Sequence, residues 1–324
     1  MKYCNLGIPY MGSKRKLAGK IIDHILEHNP NCKYIYDLFG GGGAVSFEAL
    51  KRRQIEKVVY NELNTGIVEL LKHIKDNGVT KDMYKWISRE EFHKYKNDNS
   101  YFGGFVKTCW SFGNNYIKGY LFSEENEKIK RLLHEIVVNN CEKSLEKLNI
   151  DYNIKIPLNL FNSQLNIQDR RLKIMSYIKQ YIKSRIDLQQ LEQLEQLEQL
   201  QRLQQLERLQ QLEQLEIHNK SYDEVIIKTP IDETIIYLDP PYKNTEKYQC
   251  GIDYDKLIDY IKNSPYKIYV SSYEFPLIEV NEFKHRSILS ATANNEVAEK
   301  LFCNREENQK VIMNKLNNFF SLVE

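Results

Sequence analysis

No apolar run in the 324-residue chain approaches the roughly 20 residues that a helix needs to cross a bilayer. Met1–Gly12 also lacks the basic, apolar and small-residue zones of a secretory leader, so the expected compartment is the cytoplasm. The six cysteines (Cys4, Cys32, Cys109, Cys141, Cys250 and Cys303) are scattered, with no CxxC pair. That spacing argues against a zinc centre or any other bound metal, and against a disulfide framework, and it fits a reducing compartment. His218 and His285 stand in no pattern that would pair them with a serine or a carboxylate as a nucleophile's base, and both read as structural. Nothing in the sequence addresses oligomeric state.

Charge of one sign is also scarce, with a formal net of only +2. Part of that balance is hidden. Leu188–Glu216 holds six Glu against two Arg, a net of −4, so the rest of the chain carries +6. A modestly basic body is compatible with DNA and with other partners. The same segment is a low-complexity repeat with ten leucines at every third position, from Leu188 to Leu215. An α-helix turns about 100° per residue, so such a stripe slips about 60° at each step and encircles the axis in roughly 18 residues. It fits neither a coiled-coil seam nor a long 3₁₀ helix well. Because Leu, Gln, Glu and Arg all favour helix, the expectation is a helix-like spacer rather than a site.

What the chain does have is a set of strand-to-loop junctions. Ile235-Ile236-Tyr237-Leu238 is an apolar, β-branched run that stops at Asp239-Pro240-Pro241-Tyr242. It reads as a buried parallel strand, ended by prolines that cannot donate ladder hydrogen bonds. Asp239 and Tyr242 then stand at the carboxyl end of a strand, where open α/β sheets bind ligands. A carboxylate, proline-fixed carbonyls and an aromatic face suit a planar, amino-bearing base; a plain proline turn with surface Asp and Tyr is the bland alternative. Upstream, Tyr36-Asp37-Leu38-Phe39 runs into Gly40-Gly41-Gly42-Gly43 and a helical stretch, Val45–Lys51. The glycines permit a sharp turn and close backbone approach to a ligand, but no Gly-Lys-Ser/Thr follows, so this is not a P-loop. Val58-Val59-Tyr60-Asn61-Glu62 is a second strand ending in an acid, a placement that suits a ribose diol. Pro9-Tyr10-Met11-Gly12-Ser13-Lys14 precedes a helix expected over about Arg15 to Leu26.

The α/β rhythm lapses over residues 76–187. Ser88-Arg89-Glu90-Glu91 predicts a helix start with a capping box. Trp110–Tyr120 interleaves aromatics with Ser111, Asn114, Asn115 and Lys118, a mixture able to stack on bases, bond base edges and reach a phosphate. A core segment with its aromatics turned inward is the equal alternative. Arg170 and Arg171 are either phosphate contacts or solvated.

Taken together and in order, Tyr10–Lys14, Asp37–Gly43, Asn61-Glu62 and Asp239–Tyr242 resemble the motifs of the Dam-type (D12 class, alpha group) DNA adenine N6-methyltransferases. Ser111–Asn115 and Ala293–Arg305 resemble phage-borne members; restriction–modification and solitary roles both stay open. The resemblance implies a Rossmann-like class I α/β sheet that binds S-adenosylmethionine (SAM), carrying an inserted, mainly helical target-recognition subdomain. The implied division is 1–75 for cofactor binding, 76–187 for the insert, 188–216 for the spacer and 217–324 for catalysis. Tyr10, Lys14, Asp37, Phe39, Gly41, Gly43, Glu62 and Asp239 would border the cofactor, with Glu62 on the ribose and Tyr10 and Lys14 closing the site. Asp239, Pro240, Pro241 and Tyr242 would hold a base flipped from double-stranded DNA, and Ser111, Asn114, Asn115, Lys118 and Tyr120 would contact the DNA. Pro9 stands where a basic residue is expected, so GATC specificity is not inherited. Cytosine N4, RNA or protein-glutamine methylation, or binding without turnover, are the alternatives.

Overall fold

The computed structural model describes residues 7–10, 12–112, 119–152, 155–157, 165–183, 198–207, 214–241, 251–286 and 296–306. Its centre is a seven-stranded sheet of order β3-β2-β1-β4-β5-β7-β6, formed by β1 (Tyr34–Asp37), β2 (Lys57–Asn61), β3 (Leu215–His218), β4 (Thr234–Leu238), β5 (Lys267–Ser272), β6 (Ile278–Arg286) and β7 (Glu296–Cys303). The first five strands are parallel, and β7 enters antiparallel between β5 and β6. This is the Rossmann-like architecture that the motif order implies. Strand burial explains the near-continuous apolar runs. Ile35, Val58, Tyr60, Ile235 and Tyr237 point into one core, while Tyr36, Val59, Ile236 and Leu238 point into the other. Alternate side chains leave opposite faces of a strand, so a sheet covered on both faces needs apolar residues at every position.

Helices α1 (Ala18–His28), α2 (Ala44–Ala49) and α3 (Thr65–Asn77) supply the first face with Ile21, Ile22, Ile25, Phe47, Ile67 and Leu71. The expected helix at Arg15 begins later. Lys14 lies one turn ahead of α1, its carbonyl accepting from Leu17 and Ala18, because its side chain is drawn into the protein rather than along the helix. The insert continues with α4 (Arg89–Tyr95), α5 (Tyr101–Trp110), α6 (Glu124–Asn139), α7 (Glu142–Asp151) and α8 (Ile167–Lys183). Ser88 starts α4 through the expected capping box: its hydroxyl accepts from Glu91 N, and its own N–H donates to Glu91 Oε2 at 2.8 Å.

The insert divides where the sequence does not. Helix α5 crosses α3 so closely that a methyl on Gly104 would lie 1.9 Å from the Gly66 carbonyl oxygen. Phe105, Val106, Cys109 and Trp110 thereby join the main core, and only α6, α7 and α8 build a core of their own, around Leu133, Ile136, Leu145 and Ile178. Arg170 does not face solvent freely: it donates to the carbonyls of Val137, Val138 and Leu165.

The leucine repeat is the clearest correction. Its described part is α9 (Glu198–Glu207), an α-helix with Leu200, Leu203 and Leu206 all buried. Over ten residues a threefold stripe drifts by only about 120°, which still leaves it on a burial face. The drift is used, since Leu200 enters the small helical core and Leu203 and Leu206 enter the main one. Arg202 donates to the carbonyls of Thr108, Cys109 and Ser111, at the C-terminal end of α5 and just beyond it, where helix carbonyls lack intrahelical partners. Farther on, Leu215 and Glu216 are not spacer at all. They begin β3, with Leu215 buried opposite Val58. Residues 188–197 and 208–213 lie outside the described residues. The last described helix is α10 (Tyr254–Asn263), whose Leu257 and Ile261 cover the second face of the sheet. If α9 bridges two cores, Leu203→Ala should cost about 2–5 kcal/mol. Urea denaturation checks this, and a loss below about 0.5 kcal/mol, the scale of an ordinary surface substitution, would return α9 to a spacer.

Candidate active site

Strands β1, β2 and β4 end side by side, so the residues just beyond them meet. Asp37 closes β1, Glu62 follows β2 and Asp239 follows β4. The tips are tied together by Asn61, whose amide donates to the carbonyls of Leu38 and Lys220 and accepts from Lys220 N. Gly40 N donates to the Asn61 carbonyl at 2.8 Å, which folds the glycine loop back over β2. Within that loop Gly41 sits at φ 48°, turning its N–H onto Glu62 Oε2 at 2.8 Å. Asn64 N donates to Glu62 Oε1 at 2.9 Å, so each carboxylate oxygen holds one backbone N–H.

Gly43, expected beside the cofactor, has another task. It is the buried residue before α2, at φ 75°, with its Cα pressed against the Phe47 ring, where an added Cβ would lie 2.5 Å away. It turns the chain, and the neighbouring Gly40, Gly41 and Gly42 line the cavity instead.

That cavity has a volume of about 670 Å³. Tyr10, Lys14, Asp37, Phe39, Glu62, Asp239, Pro240 and Pro241 all contribute to its wall, so the structure brings these sequence candidates together. Asp37 is 2% exposed; its Oδ2 accepts from Ser46 Oγ at 2.6 Å, and its Oδ1 has no hydrogen-bond partner. Burial, then the nearby charges of Asp239 and Glu62, push the Asp37 carboxyl up to about 7. Burial also raises Glu62. Asp239 accepts from Lys14 Nζ at 2.8 Å, and Lys14 lies 3.5 Å from Glu299 Oε1 on β7. Burial raises the Asp239 carboxyl to about 6, with Lys14 pulling it down and Glu299 pushing it up. Phe39 stacks on Tyr222 at 5.3 Å between ring centroids, forming an aromatic wall beside the β3 tip.

The sequence profile of the D12 class N6 adenine-specific DNA methyltransferases matches residues 10–313, from the tyrosine on the cavity wall to beyond β7. The chain belongs to this family. It therefore methylates adenine N6 in DNA. None of the curated proteins matches the chain.

In this methyltransferase the insert residues fall into two groups. Ser111 and Tyr120, expected on DNA, are buried and pair as an isolated β-bridge. Tyr120 donates to the Ile87 carbonyl at 2.6 Å and sits among Phe92, Trp110 and Phe122. Beside that bridge Phe112 N donates to the Gly119 carbonyl at 2.9 Å, and both Ser111 and Tyr120 are turned into the core. Asn114, Asn115 and Lys118 lie outside the described residues, as does Tyr242. Among the described residues no cluster of His, Cys, Asp or Glu is arranged to hold a metal, and no helix is long and apolar enough to cross a membrane. Sequence reasoning missed Glu299, an acid within the strand pattern of Glu296–Cys303. It also left out Lys107 and Lys256 on the cavity wall, which carry no local motif. Nor is His218 without a carboxylate, since its Nε2 lies 2.5 Å from Glu216 at the edge of β3.

Replacing Tyr120 by Phe should cost about 1 kcal/mol of stability, the scale of one hydrogen bond, and leave DNA affinity unchanged. Paired melting and DNA-binding titrations check this; lost DNA affinity at unchanged stability would restore Tyr120 as a DNA contact.

Proposed function

We propose that the methyl donor is SAM and that the target adenine is swung out of double-stranded DNA to meet Asp239 in this cavity. The observation that carries the reading is the convergence of Asp37, Glu62 and Asp239 on one wall. A cationic donor with a ribose diol and an adenine ring suits such a wall. Asp37 offers a buried oxygen without a partner. Each Glu62 oxygen, already holding one N–H, keeps a lone pair for a ribose hydroxyl. Phe39 and Tyr222 offer ring faces to the adenine. Tyr10 and Lys14, also on the cavity wall, are the residues we assign to closing over the donor. When bound, SAM supplies a methyl carbon activated by its sulfonium.

The protein's part is to make a poor nucleophile react. The adenine N6 lone pair is delocalised into the ring, so the amine must become pyramidal before it attacks. Asp239 accepts a hydrogen bond from one N6–H and the Pro240 carbonyl from the other. Together they localise the lone pair and stabilise the positive charge that grows on nitrogen. Pro240 and Pro241 hold that carbonyl in place, and Tyr242, next in the chain, supplies the face on which the flipped base stacks. The remaining contribution is alignment. Asn114, Asn115 and Lys118, together with the +6 balance outside the repeat, are the features we assign to DNA binding. The described cysteines Cys32, Cys109, Cys141 and Cys303 are free thiols, consistent with work in the cytoplasm.

Asp239→Ala should abolish methylation while leaving SAM affinity close to that of the parent, and Glu62→Ala should weaken SAM binding by about 1–3 kcal/mol. Methyl-transfer assays and calorimetry test both; the opposite pattern would exchange the two roles.

The pH dependence follows from Asp239. Its ionised form accepts the N6–H, and its pKa stands at about 6, so activity should be present above that pH and fall as pH drops through it. A kcat/KM profile with no acidic limb between pH 5 and 7 would remove the charged carboxylate from the mechanism.

A further inference from the structure

Glu299 is an acid where the strand calls for an apolar side chain. It alternates with Leu301 and Cys303 along β7, both of which face the main core, and it is 2% exposed. A carboxylate in such a place persists only when it is paired. Its pairing runs through Lys14, whose side chain is 8% exposed and lies 3.5 Å from Glu299 Oε1 and 2.8 Å from Asp239 Oδ1. One buried ammonium from the start of the chain is thus shared by two carboxylates from its C-terminal part. Glu299 does not line the cavity, so it meets no substrate directly.

The shared cation creates a conflict at the reacting centre. Lys14 holds Asp239 Oδ1, and its charge lowers the acceptor strength of that carboxylate and opposes the positive charge developing on N6. Drawing a buried ammonium away from Asp239 costs less when a second anion lies within reach. Glu299 resolves both difficulties. It gives the ammonium another acceptor close by, and it brings the Asp239–Lys14–Glu299 group to a net charge of −1, which favours a cationic transition state.

We propose that Glu299 is a positioning residue for methyl transfer, the second seat of the Lys14 ammonium, which frees Asp239 for the target amine. This rests on the reading of Asp239 as the base-contacting carboxylate. The other groups that face Asp239 are Asp37 on β1, Tyr237 on β4 and Tyr273 beyond β5. Burial pushes the Asp37 carboxyl up, as it does both phenols, and of these groups none lies within ion-pairing distance of Lys14 as Glu299 does.

The test compares Glu299→Gln, Glu299→Asp and Asp239→Ala in the full chain. Duplex DNA and radiolabelled SAM give kcat and KM, and calorimetry gives donor affinity. Carboxyl ¹³C resonances of the donor-free protein follow the ionisation of Asp239. Glu299→Gln is expected to lower kcat roughly tenfold or more while keeping SAM affinity within about twofold. Loss of a like charge favours the ionised form, so Asp239 should titrate at lower pH in this variant, and the acidic limb of the rate profile should move with it. Glu299→Asp, which keeps the charge, should recover most of the rate. An unchanged kcat and an unshifted Asp239 titration in Glu299→Gln, with Asp239→Ala inactive, would overturn the role of Glu299 alone. Equal rate losses in Glu299→Gln and Glu299→Asp, with equal drops in melting temperature, would overturn it in favour of simple packing. An active Asp239→Ala would instead overturn the reading of Asp239.

Discussion

Strand β1 is hydrogen-bonded on both sides in matched register: Tyr34 opposes Lys57 and Thr234, and Asp37 opposes Tyr60 and Tyr237. The three strands are parallel, so their carboxyl ends coincide, and whatever follows each strand is delivered to the same place. Asp37, Glu62 and Asp239 meet for that reason. The prolines after β4 and the glycines after β1 stop their strands at the required point, and Asn61 ties the tips to one another. Every later feature of the site depends on this common edge.

Bringing three acids together in a half-buried cavity is electrostatically unfavourable, and the protein answers with a different device for each. Glu62 is held by backbone N–H groups from Gly41 and Asn64. Asp37 takes a hydroxyl from Ser46 and, pushed to about 7, is partly protonated near neutrality. Asp239 is matched by a lysine that reaches in from ahead of α1. Lys14 is therefore not a helix-start cation, which the macrodipole would disfavour, but a buried counter-ion.

The helical part of the chain is joined to the sheet more firmly than an appended subdomain would be. The Gly66–Gly104 contact lets α5 lie directly on α3, and α9 then lies over α5 and holds its last carbonyls with Arg202. A leucine every third residue is a poor pattern for a long helix with one partner. For a ten-residue helix between two cores it is workable, because each leucine is rotated from the last. The bridge between Ser111 and Tyr120 consequently starts from a rigid base.

Sequence by itself determined the α/β class, the order of the cavity-lining motifs and the capping box at Ser88, because each depends on neighbours along the chain. Alternation and apolar runs reported the buried strands. Gly and Pro reported where they stop, and the spacing Ser88 to Glu91 reported a contact within one turn. Three things only the tertiary structure decided. Tyr120 is inward-facing because Phe92, Trp110 and Phe122 surround it, Ser111 is bridged to it, and an aromatic–amide string reads alike whether its rings stack on bases or on one another. Gly43 is a turn residue because of its contact with Phe47. Lys14, Asp239 and Glu299 are separated by most of the chain, and no local pattern encodes their ion pairing. Their meeting is fixed by strand order alone: β7 returns antiparallel beside β5 and carries an acid to a lysine that precedes the first helix.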